Sequence, residues 1–188
     1  MTDVWSQRAK AFQESPTHRE GPDLDLLVEW CEPGPDVKVL DVATGGGHVA
    51  RRLRDEGCTV VTVDPAPGMQ PDVVAPAERL PFEDGSFDVV TCRIAAHHFQ
   101  DVGKAVAEMA RVAQRLVVIE DNVFVDDRVV ERVEDGDALD VLAALARRHA
   151  GDDVRPVVAV VERVEGALAA GDAGGAQLGV LVDEDRHR

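Results

Sequence analysis

The sequence up to Phe124 predicts a doubly wound α/β domain, a parallel sheet covered by helices on both faces. Three observations carry that expectation. Strand-like and helix-like segments alternate along the chain, as in successive strand–helix–strand units. The strand-like segments are unbroken Val/Ile/Leu runs, the signature of strands buried on both faces. The first of them ends in three consecutive glycines that open a helix, and in such sheets ligands sit at the carboxyl ends of the strands.

Taken in order, Asp23–Cys31 places Leu24, Leu27, Val28 and Cys31 on one helical face and stops before Pro33-Gly34-Pro35. Val37–Val42 is a short buried strand. The glycine turn follows, then a helix from His48 to Glu56 closed by Gly57 in the C-cap position. Thr59–Val63 and Phe87–Cys92 are further strands, Val102–Val112 has helical spacing, and Arg115–Ile119 is another strand.

The chain is 188 residues long, a length that suits one domain. Apolar residues make up 45%, enough for a core, while aromatic residues are only 4% with no Tyr. The formal charge of −16 argues against nucleic acid and against an anionic membrane surface as partners. No apolar run reaches the ~18 residues that a spanning helix needs. The first residues (MTDVWSQRAKAF) lack the apolar stretch of a signal peptide, which predicts a cytoplasmic protein. Cys31, Cys58 and Cys92 are odd in number and widely spaced, as expected of reduced thiols rather than a disulfide framework or a zinc site.

Composition changes at residue 125. Residues 125–188 use only ten amino acids: Val, Asp, Glu, Gly, Ala, Arg, Leu, His, Pro and Gln. Every one has codons beginning with G or C. That is the product expected when GC-rich DNA is read with its wobble base moved to the first codon position. The sequence therefore divides into a core with an N-terminal helical segment, residues 1–124, and an atypical low-complexity tail, 125–188, read as translated out of frame, the alternative being a natural GC-biased tail. Within the tail, Val157–Val161 and Leu178–Val182 are strand candidates and Asp137–His149 a helix candidate.

Two features point to chemistry. Three glycines between strand and helix let the backbone approach a ligand closely, and the helix amino end adds free N–H groups and a positive dipole end. Gly45-x-Gly47-x-x-Ala50 also fits a dinucleotide fingerprint, so the loop alone does not choose a cofactor. Asp64, ending the second strand 19 positions beyond Gly45, is placed to accept the two ribose hydroxyls of an adenosine. Together they predict a nucleoside cofactor.

The remaining pattern resembles the class I S-adenosylmethionine-dependent methyltransferases, small-molecule branch, near the ubiquinone and menaquinone C-methyltransferases. The residues that carry the resemblance are VLDVATGGGHVARRL (Val39–Leu53), VVTVD (Val60–Asp64), AERLPFEDGSFDVVTCRIAAHHF (Ala77–Phe99), and EMARV followed by RLVVIED. Leu80-Pro81-Phe82 through Gly85-Ser86-Phe87-Asp88 is the most specific part, and a nicotinamide dehydrogenase has no reason to carry it. Ser15-Pro16-Thr17-His18 followed by Gly21 and Leu24 looks like the helical segment that precedes the core in this branch.

The resemblance implies a Rossmann-like fold, S-adenosyl-L-methionine as cofactor, no metal, and methyl transfer to a small, mostly apolar molecule at carbon or oxygen. It implies that Asp41, Ala43 and the Gly45-Gly46-Gly47 turn hold the methionine end, and that Asp64 takes the ribose hydroxyls. Ala77 would meet the adenine edge, Arg93 would lie beside the methionine moiety, and His97 and His98 would stand at the substrate mouth as candidate bases. Two departures are visible. Pro76 stands where this branch usually has Asp, so weaker adenine recognition is expected. The Pro-Gly-Gly turn before the fifth strand is missing, Ala113-Gln114 leading straight into Arg115. A second function class stays open: a non-catalytic cofactor-binding remnant that has lost its acceptor site.

Overall fold

The computed structural model describes residues 4–124, 154–162 and 177–182. The chain begins with three helices, α1 (Val4–Glu14), α2 (Pro16–Arg19) and α3 (Pro22–Trp30). It then alternates through β1 (Lys38–Val42), α4 (His48–Asp55), β2 (Thr59–Asp64), β3 (Val73–Val74), β4 (Phe87–Arg93), α5 (Val102–Val112) and β5 (Ala113–Phe124). Two later strands, β6 (Val154–Glu162) and β7 (Gln177–Val182), complete a sheet of order β3-β2-β1-β4-β5-β6-β7. The first five strands are parallel, and β6 and β7 add antiparallel at the edge.

The expected strands are present within a few residues. The tail's two strand candidates fall inside β6 and β7; the helix expected over Asp137–His149 lies outside the described residues.

Successive side chains of a strand point to opposite faces, and the core divides accordingly. Leu40, Val42, Val90, Cys92, Val117 and Ile119 pack with α5 through Ala105, Val106 and Met109. Val39, Val60, Val89, Leu116 and Val118 pack on the other face with Leu24, Leu27 and Val28 of α3 and Val49, Ala50 and Leu53 of α4. Both faces are therefore covered, as the apolar runs predicted.

Two connections are unusually short. Parallel neighbours normally need a crossover of a dozen or more residues, usually a helix. Between β2 and β3 only residues 65–72 are available, and they hold a single 3₁₀ turn, Pro67–Met69. Asp72 secures the returning chain: its carboxylate accepts from the backbone N and the hydroxyl of Thr62 at 2.9 and 2.8 Å. Helix α1 packs on this turn, with Trp5, Ala9 and Phe12 against Ala66 and Met69. The missing turn before β5 is the second case. Helix α5 ends at Val112 and Ala113 is already extended, at φ −80° and ψ 142°. The β4–β5 register slips between Phe87 and Val89 to absorb the change.

Candidate cofactor and acceptor site

Strand β1 delivers Asp41 and then the turn. Ala43 adopts a left-handed backbone at φ 55°, a costly conformation for a residue with a Cβ. Gly47, at φ 73°, makes the turn into α4. Asp41 is 1% exposed. Its carboxylate accepts from Thr44 Oγ1 at 2.6 Å and Thr91 Oγ1 at 3.1 Å, so it braces the turn from behind. Burial raises its carboxyl from 3.8 to about 6 against the opposing effect of those hydroxyls. Asp64, at the end of the neighbouring strand, is buried and accepts from Gly45 N at 3.0 Å and Ala66 N at 2.8 Å. One carboxylate thus joins the first two cofactor-side turns.

The third and fourth turns follow the same rim. Pro76, Ala77 and Glu78 border the cavity, and Glu78 accepts from the backbone N of Gln100 at 2.8 Å. The Leu80-Pro81-Phe82 run behind them is held by α5: Leu80 N donates to Glu108 at 2.8 Å, and Arg111 donates to the carbonyls of Leu80 and Phe82 at 3.0 and 2.8 Å. After β4, Ile94 turns the chain at φ 49°, a rare backbone for a β-branched residue, and its N–H donates to Glu120 O at 2.8 Å.

A cavity of about 350 Å³ opens between these turns and the N-terminal helices. Its cofactor side is Ala43, Thr44, Gly45, Gly46, Asp64 and Ala77; its far wall includes Trp5, Phe12, Met69, Ile94 and Phe99. Three imidazoles, His18, His48 and His98, also border it. Burial is the largest influence holding the His18 and His48 imidazoles below their ordinary value.

Of the residues expected at the site, Ala43, Gly45, Gly46, Asp64, Ala77, Arg93 and His98 border the cavity. Asp41, Gly47 and His97 stand one layer behind it. Arg93 donates through Nε to Asp23 at 3.1 Å and lies 3.2 Å from Glu120, with a further bond from Nη2 to Asp23; Nη1 donates to the His18 carbonyl at 2.8 Å. Its guanidinium therefore ties the N-terminal helices to the ends of β4 and β5. Asp121, wholly buried, accepts from His97 N at 2.9 Å and from Nδ1 at 2.7 Å. Facing a carboxylate, Nδ1 carries the proton. His98 instead lies beside Trp5, ring centroids 4.5 Å apart, and 3.8 Å from the His97 ring.

Residues 40–117 match the family described as a methyltransferase domain. Over those residues the core is similar to the class I S-adenosylmethionine-dependent methyltransferases. The chain is 35% identical over 127 residues to the uncharacterized methyltransferase YcgJ of Bacillus subtilis, covering 59% of this chain and 50% of that protein. It is 39% identical over 99 residues to the demethylmenaquinone methyltransferase of Beutenbergia cavernae, covering 46% and 41%. The crystal structure of YcgJ superposes with a TM-score of 0.51 at 34% identity, over 60% of this chain and 55% of that one. An S-adenosylmethionine-dependent methyltransferase from Aquifex aeolicus shares the fold at 18% identity, TM-score 0.55, over 63% and 73%. The chain spans about half the length of the curated relatives it matches. These matches imply S-adenosylmethionine as the cofactor of the core.

The sequence missed Trp5, Phe12, Thr44, His48 and Met69 as wall residues. Trp5, Ala9 and Phe12 do recur at helical spacing, the one signal that could have pointed to α1. Thr44 was legible only as part of the turn, yet it borders the cavity while its hydroxyl donates to Asp41 behind it. Among the described residues no helix is long and apolar enough to cross a membrane, and no cluster of His, Cys, Asp or Glu could hold a metal.

Proposed function

We propose that the protein transfers the methyl group of S-adenosyl-L-methionine to a small, mostly apolar acceptor, at carbon or oxygen. The observation that supports this most is that one cavity runs from the glycine turn and Asp64 to an apolar wall of Trp5, Phe12, Ile94 and Phe99. In the reaction the sulfonium S–CH₃ bond breaks as the acceptor–CH₃ bond forms, sulfur becoming a neutral thioether. The donor is already activated, so the protein's task is in-line positioning and exclusion of water. Asp41, Ala43 and the glycine turn serve the methionine end, Asp64 the ribose and Ala77 the adenine, with Arg93 beside them.

The acceptor's proton passes to an imidazole. Of the two candidate bases His98 borders the cavity, and His97, oriented by Asp121, is its neighbour. The B. cavernae relative acts on a demethylmenaquinone by name; a quinol or phenol ring would suit the aromatic wall here. All three cysteines are buried free thiols, which suits the cytoplasm. On composition we read residues 125–188 as translated out of frame rather than as a natural GC-biased tail, and reading the gene's other two frames for a methyltransferase C-terminus tests that.

The functional test is transfer of labelled methyl from S-adenosylmethionine to a panel of small quinols, phenols and enolisable dicarbonyls, with His98→Gln alongside. Label entering the organic phase with wild type, and reduced about 10²-fold or more in the variant, is the expected result. Tight S-adenosylhomocysteine binding without transfer to any member would give the case to the non-catalytic remnant.

A further inference from the structure

We infer that His48 is a positioning residue: its Nε2–H fastens the N-terminal helical segment across the cofactor cavity at the Phe12 carbonyl, so that the acceptor wall is set from the glycine turn itself. The inference rests on the reading of this cavity as shared by cofactor and acceptor.

The geometry fixes the proton. His48 Nε2 lies 2.9 Å from Phe12 O, and a carbonyl only accepts, so Nε2 is the donor. Arg51 Nη1 lies 3.3 Å from the other ring nitrogen, and a guanidinium only donates, so Nδ1 is the acceptor. The ring is therefore neutral and in one tautomer. Burial supports this, as do the Arg51, Arg93 and Arg19 charges, against the opposing pull of the Phe12 bond.

Gly46 makes the contact possible. A Cβ there would fall 2.7 Å from His48 Nε2 and 2.8 Å from Phe12 O, too close to both donor and acceptor for either to stay in place. A glycine of the cofactor turn is thus also what allows the segment to seat.

The other cavity turns hold the same segment at two further points. Gly68 N donates to Ser6 Oγ at 2.8 Å, and Arg93 Nη1 to His18 O at 2.8 Å. Ser6, Phe12 and His18 are spread along the segment, so three turns on the cavity rim each fix one part of it. The His48 contact is the central one, and it falls on a residue whose ring is itself part of the wall.

The test uses the full chain and S-adenosylhomocysteine as probe, comparing wild type, His48→Ala and His48→Gln. The Gln amide places an N–H donor where Nε2 stands. Amide hydrogen exchange over residues 4–19 should accelerate at least tenfold in the Ala variant, with exchange in α5 unchanged. Dissociation of S-adenosylhomocysteine should accelerate several-fold in the same variant, and Gln should restore both. Exchange and dissociation within twofold of wild type would overturn the inference. So would a Gln variant that behaves like Ala, or acceleration that extends into α5, since His48 would then matter only to packing. Failure of wild type to bind the probe would sink the cofactor reading instead, leaving the exchange comparison to decide this one.

Discussion

The sheet core and the N-terminal helical segment border the same cavity but are held by different physics. Core strands β1, β4 and β5 are buried on both faces, and their side chains pack with α3, α4 and α5. The segment over residues 4–19 has a small apolar contact, Trp5, Ala9 and Phe12 on Ala66 and Met69, a ring contact of Trp5 with His98, and single hydrogen bonds from the cavity turns. Area burial is cumulative and tolerant, whereas point attachments each depend on one donor. Cofactor-side residues should therefore be robust, and the acceptor wall adjustable by single substitutions.

The residue that joins the two regions should show the largest effect. Arg93→Met leaves Glu120 and Asp23 without their guanidinium in a buried place, which costs about 3–5 kcal/mol of unfolding free energy. Urea denaturation measures it, and a loss under 1 kcal/mol would show the two regions to be uncoupled.

Leu40→Ala, in the core, should cost about 2–5 kcal/mol through lost burial and a cavity. Phe12→Ala, in the segment, should cost about 1 kcal/mol or less because its ring is only half-buried. Equal losses in the two variants would erase the distinction.

Asp41 gives a pH signature confined to the core. Its carboxyl is raised to about 6 in the fold, above its ordinary value of 3.8, so the folded state holds the proton more tightly than the unfolded chain. Its contribution is therefore favourable at low pH and is lost as pH rises from about 4 to about 6. The stability of Asp41→Asn relative to wild type should rise over that window by roughly 3 kcal/mol at most. A difference that stays flat with pH would remove the burial argument.

The smallest effect is expected at Asp101, whose carboxylate caps α5 by accepting from Lys104 N at 2.9 Å. Asp101→Ala should cost about 1 kcal/mol in thermal or urea unfolding and leave S-adenosylhomocysteine affinity unchanged.

The same division explains what could be read from the sequence. β1, β2, β4 and the first part of β5 were legible because strands buried on both faces are continuous apolar runs, and the glycine turn and Asp64 follow from strand ends. The cap and end of α4 were legible for similar local reasons. Helix α1 was not, since its face has three apolar residues and its partners Ala66 and Met69 lie in a crossover too short to suggest a packing surface. β3 is two residues long and has no pattern to detect. Asp41 was legible as a polar strand end, but only the fold shows Thr44 and Thr91 holding it behind the turn. The His97–Asp121 pair, separated by 24 positions, exists only because β4 and β5 are neighbours.

Calorimetric titration of the full chain with S-adenosylhomocysteine asks whether the glycine turn and Asp64 form a working S-adenosylmethionine site in this chain. Saturable binding is predicted, weakened by about 1–3 kcal/mol in Asp64→Ala through loss of hydrogen bonds to a charged group. Absence of binding by a chain shown to be folded, or an Asp64→Ala variant that binds as tightly as wild type, would contradict it.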